Sequence, residues 1–209
     1  MKKNFLIELK SEKIFTKGEL IFCQGEKPKA FYYLTEGLVQ SYSITAGGSK
    51  RNIMTTWPGE YFGMSSFFDG TIRQSSAVTL KDSRIIMINE QDYIRCSESH
   101  EFLNTMIHAL SMDVRVLFEQ LADSSLFKAD MQVARFICRR IDRGQHVMEN
   151  GKAILEYSQD FVANILGLSR WAVNQALVGM KSKGWVSTKY GSIMILDINA
   201  IRHFAFDEA

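Results

Sequence analysis

The sequence predicts an α+β chain of two domains: an all-β N-terminal part leading into a long helix, then a smaller C-terminal part of helices and hairpins. From Ser11 to Asn89, short runs of β-branched and aromatic residues alternate with turn residues. From Leu103 to Leu121, apolar residues recur at helical spacing. Residues 160–185 read DFVANILGLSRWAVNQALVGMKSKGW, the layout of two helices joined by a tight turn. At 209 residues the chain is long enough for each domain to hold its own core.

The strands of the first domain are read at Leu20 to Cys23, Phe31 to Leu34, Leu38 to Ile44, Asn52 to Trp57 and Ile85 to Ile88. Gly18, Gly25, Gly37, Gly47, Gly48, Gly59, Gly63 and Gly70 punctuate them. Spacing near ten residues fits a sandwich or jelly roll, in which each strand ends at a tight turn, and a single roll of about one hundred residues is expected.

The period then changes. Leu103, Ile107, Leu110, Val114, Leu117 and Leu121 are separated by 4, 3, 4, 3 and 4 residues, the a/d register of a coiled coil. Met106, Phe118 and Ala122 lie beside that stripe and widen the apolar surface. A lone amphipathic helix ordinarily buries such a stripe in its own core. A register kept over more than two heptads instead predicts a dimer seam on a helix of about residues 99–124. A break at Asp123-Ser124-Ser125 is expected before a second helix, Met131 to Ile141, with Val133, Phe136 and Ile137 on one face. The domain boundary is placed after Phe127, giving 1–127 and 128–209.

In the C-terminal part, Asn150-Gly151 between Val147-Met148 and Ala153-Ile154-Leu155 is a type I′ hairpin signal. Ala163 is small enough for two helices to cross closely, Gly167 suits the φ > 0 conformation of the turn, and Val173 is expected between the helices. Ser169 supplies a capping oxygen for the second helix and leaves Arg170, Trp171, Asn174 and Gln175 on its exposed face. Arg, Asn and Gln make paired hydrogen bonds to base edges in the major groove, and Lys181 and Lys183 follow as a basic run. An ordinary αα-hairpin in a helical core is the competing reading, but it does not call for such a polar face. Trp185 to Lys189 and Ile193 to Leu196 flank Tyr190-Gly191-Ser192, a second hairpin placed as a wing whose tip can touch the sugar-phosphate backbone.

Charge supports that division of labour. Residues 1–127 carry 14 Lys/Arg against 15 Asp/Glu, or −1, and residues 128–209 carry 11 against 8, or +3. The positive excess sits with the reading head. Cys23, Cys96 and Cys138 form no C-x-x-C pair, so neither a zinc site nor an iron–sulfur cluster is expected. MKKNFLIELKSEK lacks the apolar core of a signal peptide, and no window reaches a membrane span, so a cytoplasmic protein with free thiols is the natural reading.

A glycine-punctuated roll, a long dimer helix and a winged helix-turn-helix, in that order, resemble the Crp/Fnr family of bacterial transcription regulators. The residues that carry the resemblance are KGELIFCQGE (Lys17 to Glu26), FYYLTEG (Phe31 to Gly37), PGEYFG (Pro58 to Gly63) and GLSRWAV (Gly167 to Val173). The resemblance implies a cyclic-nucleotide-binding-like roll. It also implies a homodimer that binds double-stranded DNA and regulates transcription, with RNA polymerase as a partner. Cyclic-AMP receptors of the family use a glutamate after the F-x-G-type turn and an Arg-Ser pair ten residues on. Those positions here are Met64 and then Gln74 and Ser75. An amide cannot neutralise and doubly bond a phosphate as a guanidinium does. Arg73 lies one residue early, on the opposite face if the segment is a strand. Cyclic AMP is therefore not the expected effector.

Oxygen sensing by an iron–sulfur cluster would need an N-terminal cysteine cluster, and residues 1–95 hold only Cys23. Haem sensing and a cupin-type enzyme would each need histidine in the roll, yet the histidines are His100, His108, His146 and His203. Neither an enzyme nor a cofactor is expected. The pocket region is apolar: Phe62, Met64, Phe67, Phe68, Leu117 and Phe118 would either line a site for a small apolar effector or fill a core. A roll-type regulatory subunit whose helix-turn-helix only packs is the other open alternative, and a gel shift separates it.

Overall fold

The computed structural model describes residues 12–48 and 50–207; residues 1–11, the subject of the signal-peptide reading, lie outside them. Strands β1 (Glu12–Phe15), β2 (Leu20–Phe22), β3 (Ala30–Ile44), β4 (Lys50–Thr56), β5 (Tyr61–Phe62) and β6 (Ser76–Asn89) build one antiparallel sheet. Its order is β1-β6-β3-β4, with β2 also on β6 and β5 on β3. The two runs expected around Gly37 are one long strand, β3, whose pairing with β6 shifts register between Leu34 and Val39. A Cβ at Gly37 would come within 2.2 Å of Ser83 Oγ and 2.5 Å of the Asp82 carbonyl. Glycine there lets β6 approach closely and bend the pair without ending it.

Before the long helix, two helices escaped the sequence reading, as did Ile198–Phe206 near the end of the chain. Helix α1 (Met64–Asp69) interrupts a stretch taken as wholly β. Helix α2 (Glu90–Ser97) starts at a capping box in which Asn89 Oδ1 accepts from Asp92 N at 3.0 Å and the Asp92 carboxylate accepts from Asn89 N. One apolar cluster, with Phe22, Leu34, Val39 and Ile85, fills the roll. A second joins Phe31, Met64 and Ile88 to Phe102 and Met106 of helix α3 (His100–Leu126).

Helix α3 shows no break at Asp123-Ser124-Ser125 and runs through to Leu126. The reason is electrostatic: Asp123 is turned inward and accepts from Arg135 Nε at 2.7 Å and Arg139 Nη2 at 3.0 Å, with Arg139 Nη1 also bonded. Both arginines lie on α4 (Ala129–Asp142). The chain divides into two compact units between Leu117 and Phe118, inside α3 rather than after Phe127. Among the described residues, no helix is long and apolar enough to cross a membrane.

The second unit continues with β7 (Val147–Glu149), β8 (Lys152–Leu155), α5 (Gln159–Leu166), α6 (Arg170–Ser182), β9 (Val186–Lys189), β10 (Ser192–Ile195) and α7 (Ile198–Phe206). The four strands form a sheet in the order β7-β8-β10-β9. Asn150 and Gly151 have φ 50 and 74, as a type I′ turn requires. Val133, Ile137, Leu155, Val162, Val173, Leu177 and Ile201 are buried.

Candidate nucleic-acid interface

Helix α5 ends at Gly167 in the left-handed conformation, with φ 66, and its N–H bonds the Ala163 carbonyl. The chain turns and α6 begins at Ser169, whose Oγ accepts from Ala172 N at 3.1 Å. Val173, Ala176, Leu177 and Met180 point into the domain. Helical periodicity then leaves Arg170, Trp171 and Gln175 outward, and Trp171 is 70% exposed.

The structure separates the expected reading residues into two groups. Arg170, Trp171 and Gln175 share the exposed face. Asn174 does not belong with them: it is half-buried, and its Oδ1 accepts from Gln159 Nε2 of α5 at 3.2 Å. Helical spacing alone would put it near Arg170; the Gln159 amide of the neighbouring helix is what engages it. Asp160, unremarked in the sequence, lies beside Arg170, with Oδ1 3.5 Å from Nε. Lys181 is exposed, and Lys183 caps the C-terminus of α6 with Nζ 4.4 Å from the Trp185 ring.

A groove of about 370 Å³ runs beside α6, bordered by Trp171, Gln175, Lys183, Trp185, Phe204 and Lys128. The small Ala172 and Gly179 hollow it, and its rim carries Lys128 and Lys183 together with Asp130. Across the sheet, the β9–β10 hairpin carries Tyr190 at its tip, fully exposed beside Lys189.

The residues expected around an effector pocket are placed as follows. Phe62 packs in the roll with Phe22 and Tyr32, whereas Met64 lies in the cluster on the helical side with Phe102 and Met106. Gln74 is exposed and Ser75 half-buried, while Leu117 and Phe118 are both exposed, Phe118 at 69%. Phe31, Phe67, Phe68 and Tyr93 pack ring on ring, with centroids 5.1–5.8 Å apart along the chain of contacts. Arg73 sits in a loop rather than on a strand, so strand alternation does not govern it. It is 3% exposed; Nη1 donates to the Gly63 carbonyl and to Ser66 Oγ, and Nη2 to the Ala30 carbonyl. Its guanidinium also lies 4.2 Å over the Phe22 ring. Those donors are committed to the protein and tie the loop to the start of α1.

The long-helix stripe also divides. Leu103 and Leu110 pack on the β-side cluster of their own chain. Ile107, Val114, Leu117, Phe118 and Leu121 are exposed.

Comparisons with known proteins agree with this architecture. Residues 12–100 match the model of the cyclic nucleotide-binding domain, and residues 132–204 match the Crp-like helix-turn-helix domain. The CRP-like cAMP-activated global transcriptional regulator of Mycobacterium tuberculosis is 26% identical over 187 residues, covering 88% of this chain and 83% of its own. The cyclic AMP receptor protein of Thermus thermophilus is 23% identical over 195 residues, 93% of this chain and 88% of its own. Among solved structures, a CRP/FNR-family regulator from Thermus thermophilus superposes with a TM-score of 0.78 at 21% identity, covering 93% of this chain and 98% of that one. FixK2 from Bradyrhizobium japonicum gives 0.80 at 18% identity, covering 93% and 96%. These relatives are regulators rather than enzymes, and with both domain matches in the family's order, the chain belongs to the Crp/Fnr family of DNA-binding transcriptional regulators.

Proposed function

We propose that the protein acts as a homodimer on a palindromic DNA site in the cytoplasm, with α6 in the major groove and RNA polymerase as a partner. The observation that carries this reading is the face of α6: a helix capped by Ser169 that buries one side and holds Arg170, Trp171 and Gln175 in solvent. Arg170 offers the fork that reads guanine and Gln175 the amide that suits adenine. Lys183 and Lys128, at the groove rim, and Lys181 are placed as phosphate contacts, which add affinity without sequence information. Dimerisation is assigned to Ile107, Val114, Leu117, Phe118 and Leu121, an apolar stripe exposed in the single chain. In this reading, residues 1–127 form the sensing and dimerising part and residues 128–209 the DNA-binding part.

Cyclic AMP is not its effector in this reading. Met64 is buried among apolar side chains, Gln74 cannot supply a cationic fork, and Arg73 is bonded to three protein acceptors. For the apolar region near α1, the ring-on-ring packing of Phe31, Phe67, Phe68 and Tyr93 favours a filled core over a site for a small apolar effector. The test of the main reading is selection from a random-sequence duplex library with the full chain, then a gel shift on the enriched sites. Enrichment of a two-fold symmetric sequence bound by a dimer is expected. Failure to retain any duplex at low salt would sink it, and would leave the helix-turn-helix as a packing module.

A further inference from the structure

Consecutive residues in the first turn of α5 each hold one residue of α6: Gln159 donates to Asn174, and Asp160 lies against Arg170. The first contact is half-buried and braces the two helices. The second is different in kind. The side chains of Arg170 and Asp160 are 69% and 65% exposed, and an ion pair so exposed adds little to folding. A carboxylate on a face meant for DNA also repels phosphate, so its cost falls on binding to any sequence. Its contact, however, is with one particular edge of the guanidinium: Oδ1 lies 3.5 Å from Nε. That leaves Nη1 and Nη2, the pair that can bond guanine O6 and N7 together.

We propose that Asp160 is a positioning residue for base recognition. It holds the Nε edge of Arg170 so that the Nη pair meets the base, and it opposes the alternative in which Arg170 swings to a phosphate. Asp160 raises selectivity at one base pair and lowers affinity for DNA in general. The proposal rests on the reading of Arg170 as a base contact.

The experiment uses the full-length dimer and the site enriched from the random duplex library, together with versions substituted at each base pair in turn. Asp160→Asn keeps the shape and removes the charge. It should lower discrimination at the base pair read by Arg170 by about 2- to 5-fold, with affinity for unrelated duplex rising. Discrimination at other positions should not change, which separates positioning from a general loss of helix stability. Asp160→Glu should retain part of the discrimination, and Asp160→Asn should have no further effect on it in an Arg170→Ala background. If Arg170→Ala abolishes discrimination at one base pair and Asp160→Asn leaves it intact, the positioning role is overturned while the base contact stands. If Arg170→Ala changes discrimination nowhere, Arg170 is not a base contact and the proposal falls with that reading.

Discussion

Replacing Asp123 by Asn should destabilise the C-terminal unit strongly. Asp123 is 3% exposed and accepts from two arginines of α4, which are themselves largely buried. Breaking a buried pair by removing one partner generally costs about 3–5 kcal/mol, because the other charge is left without compensation. Here the orphaned cations keep some partners. Arg139 retains Glu119 at 3.3 Å, while Arg135 still donates to the Ala205 carbonyl at 2.9 Å and lies 4.5 Å from the rings of Phe127 and Phe206. The loss should therefore fall at about 2–4 kcal/mol. Urea, which does not screen charge, is the denaturant to use. Trp171 and Trp185 report the C-terminal unit, and a Trp57→Phe background removes the tryptophan of the other unit. With a slope of about 1–2 kcal/mol per molar, the midpoint should move down by about 1–4 M. A shift below about 0.5 M would show that the Asp123 cluster is not what holds the end of α3 to α4.

Val114→Lys with Leu121→Lys should give a monomer by light scattering and weak half-site binding; these positions are 52% and 63% exposed, so the fold should survive, and a persistent dimer would refute the seam. Arg170→Ala should cost about 1–3 kcal/mol at one base pair, whereas Lys183→Ala should weaken all sequences alike and flatten the salt dependence; both are read by gel shift across salt concentrations. Titration calorimetry should detect no cyclic AMP binding at micromolar concentrations, and binding there would overturn the reading of Met64, Arg73 and Gln74. Burial, with Glu60 nearby, pushes Asp113 up to about 7. Between the ordinary carboxylate range and about pH 7 the folded N-terminal unit holds the extra proton, so its stability should fall as pH rises through that window. Asp113→Asn should remove the slope and stabilise the unit at pH 8, and an unchanged pH profile of thermal unfolding would disprove this.

Local chemistry made the C-terminal unit legible. The Asn150-Gly151 turn and the Ser169 cap rest on contacts within a few residues of one another, where side-chain type alone decides conformation, and Val173 follows from the apolar spacing of its helix. The roll was legible in class but not in detail. Helix α1 lies in a stretch read as part of an all-β domain, and the first half of β6, SAVTLKDS, was not read as a strand; it buries small and polar residues such as Ala77 and Thr79. Gly37 reads as a turn, yet in space it is the point where two long strands touch.

Sequence by itself determined the order of the parts, the outward face of α6 at Arg170, Trp171 and Gln175, and the absence of a phosphate fork at position 74. Only the tertiary structure decided what each polar group does within its surroundings. It withdrew Asn174 into the contact with Gln159, set Asp160 beside Arg170, turned Arg73 inward, and divided the α3 stripe between the core and solvent. Periodicity tells which residues share a face. The partner a side chain finds on that face depends on groups brought near from elsewhere in the chain, and a hydrogen bond or ion pair at 3 Å is lost with a small rotation that no linear pattern records.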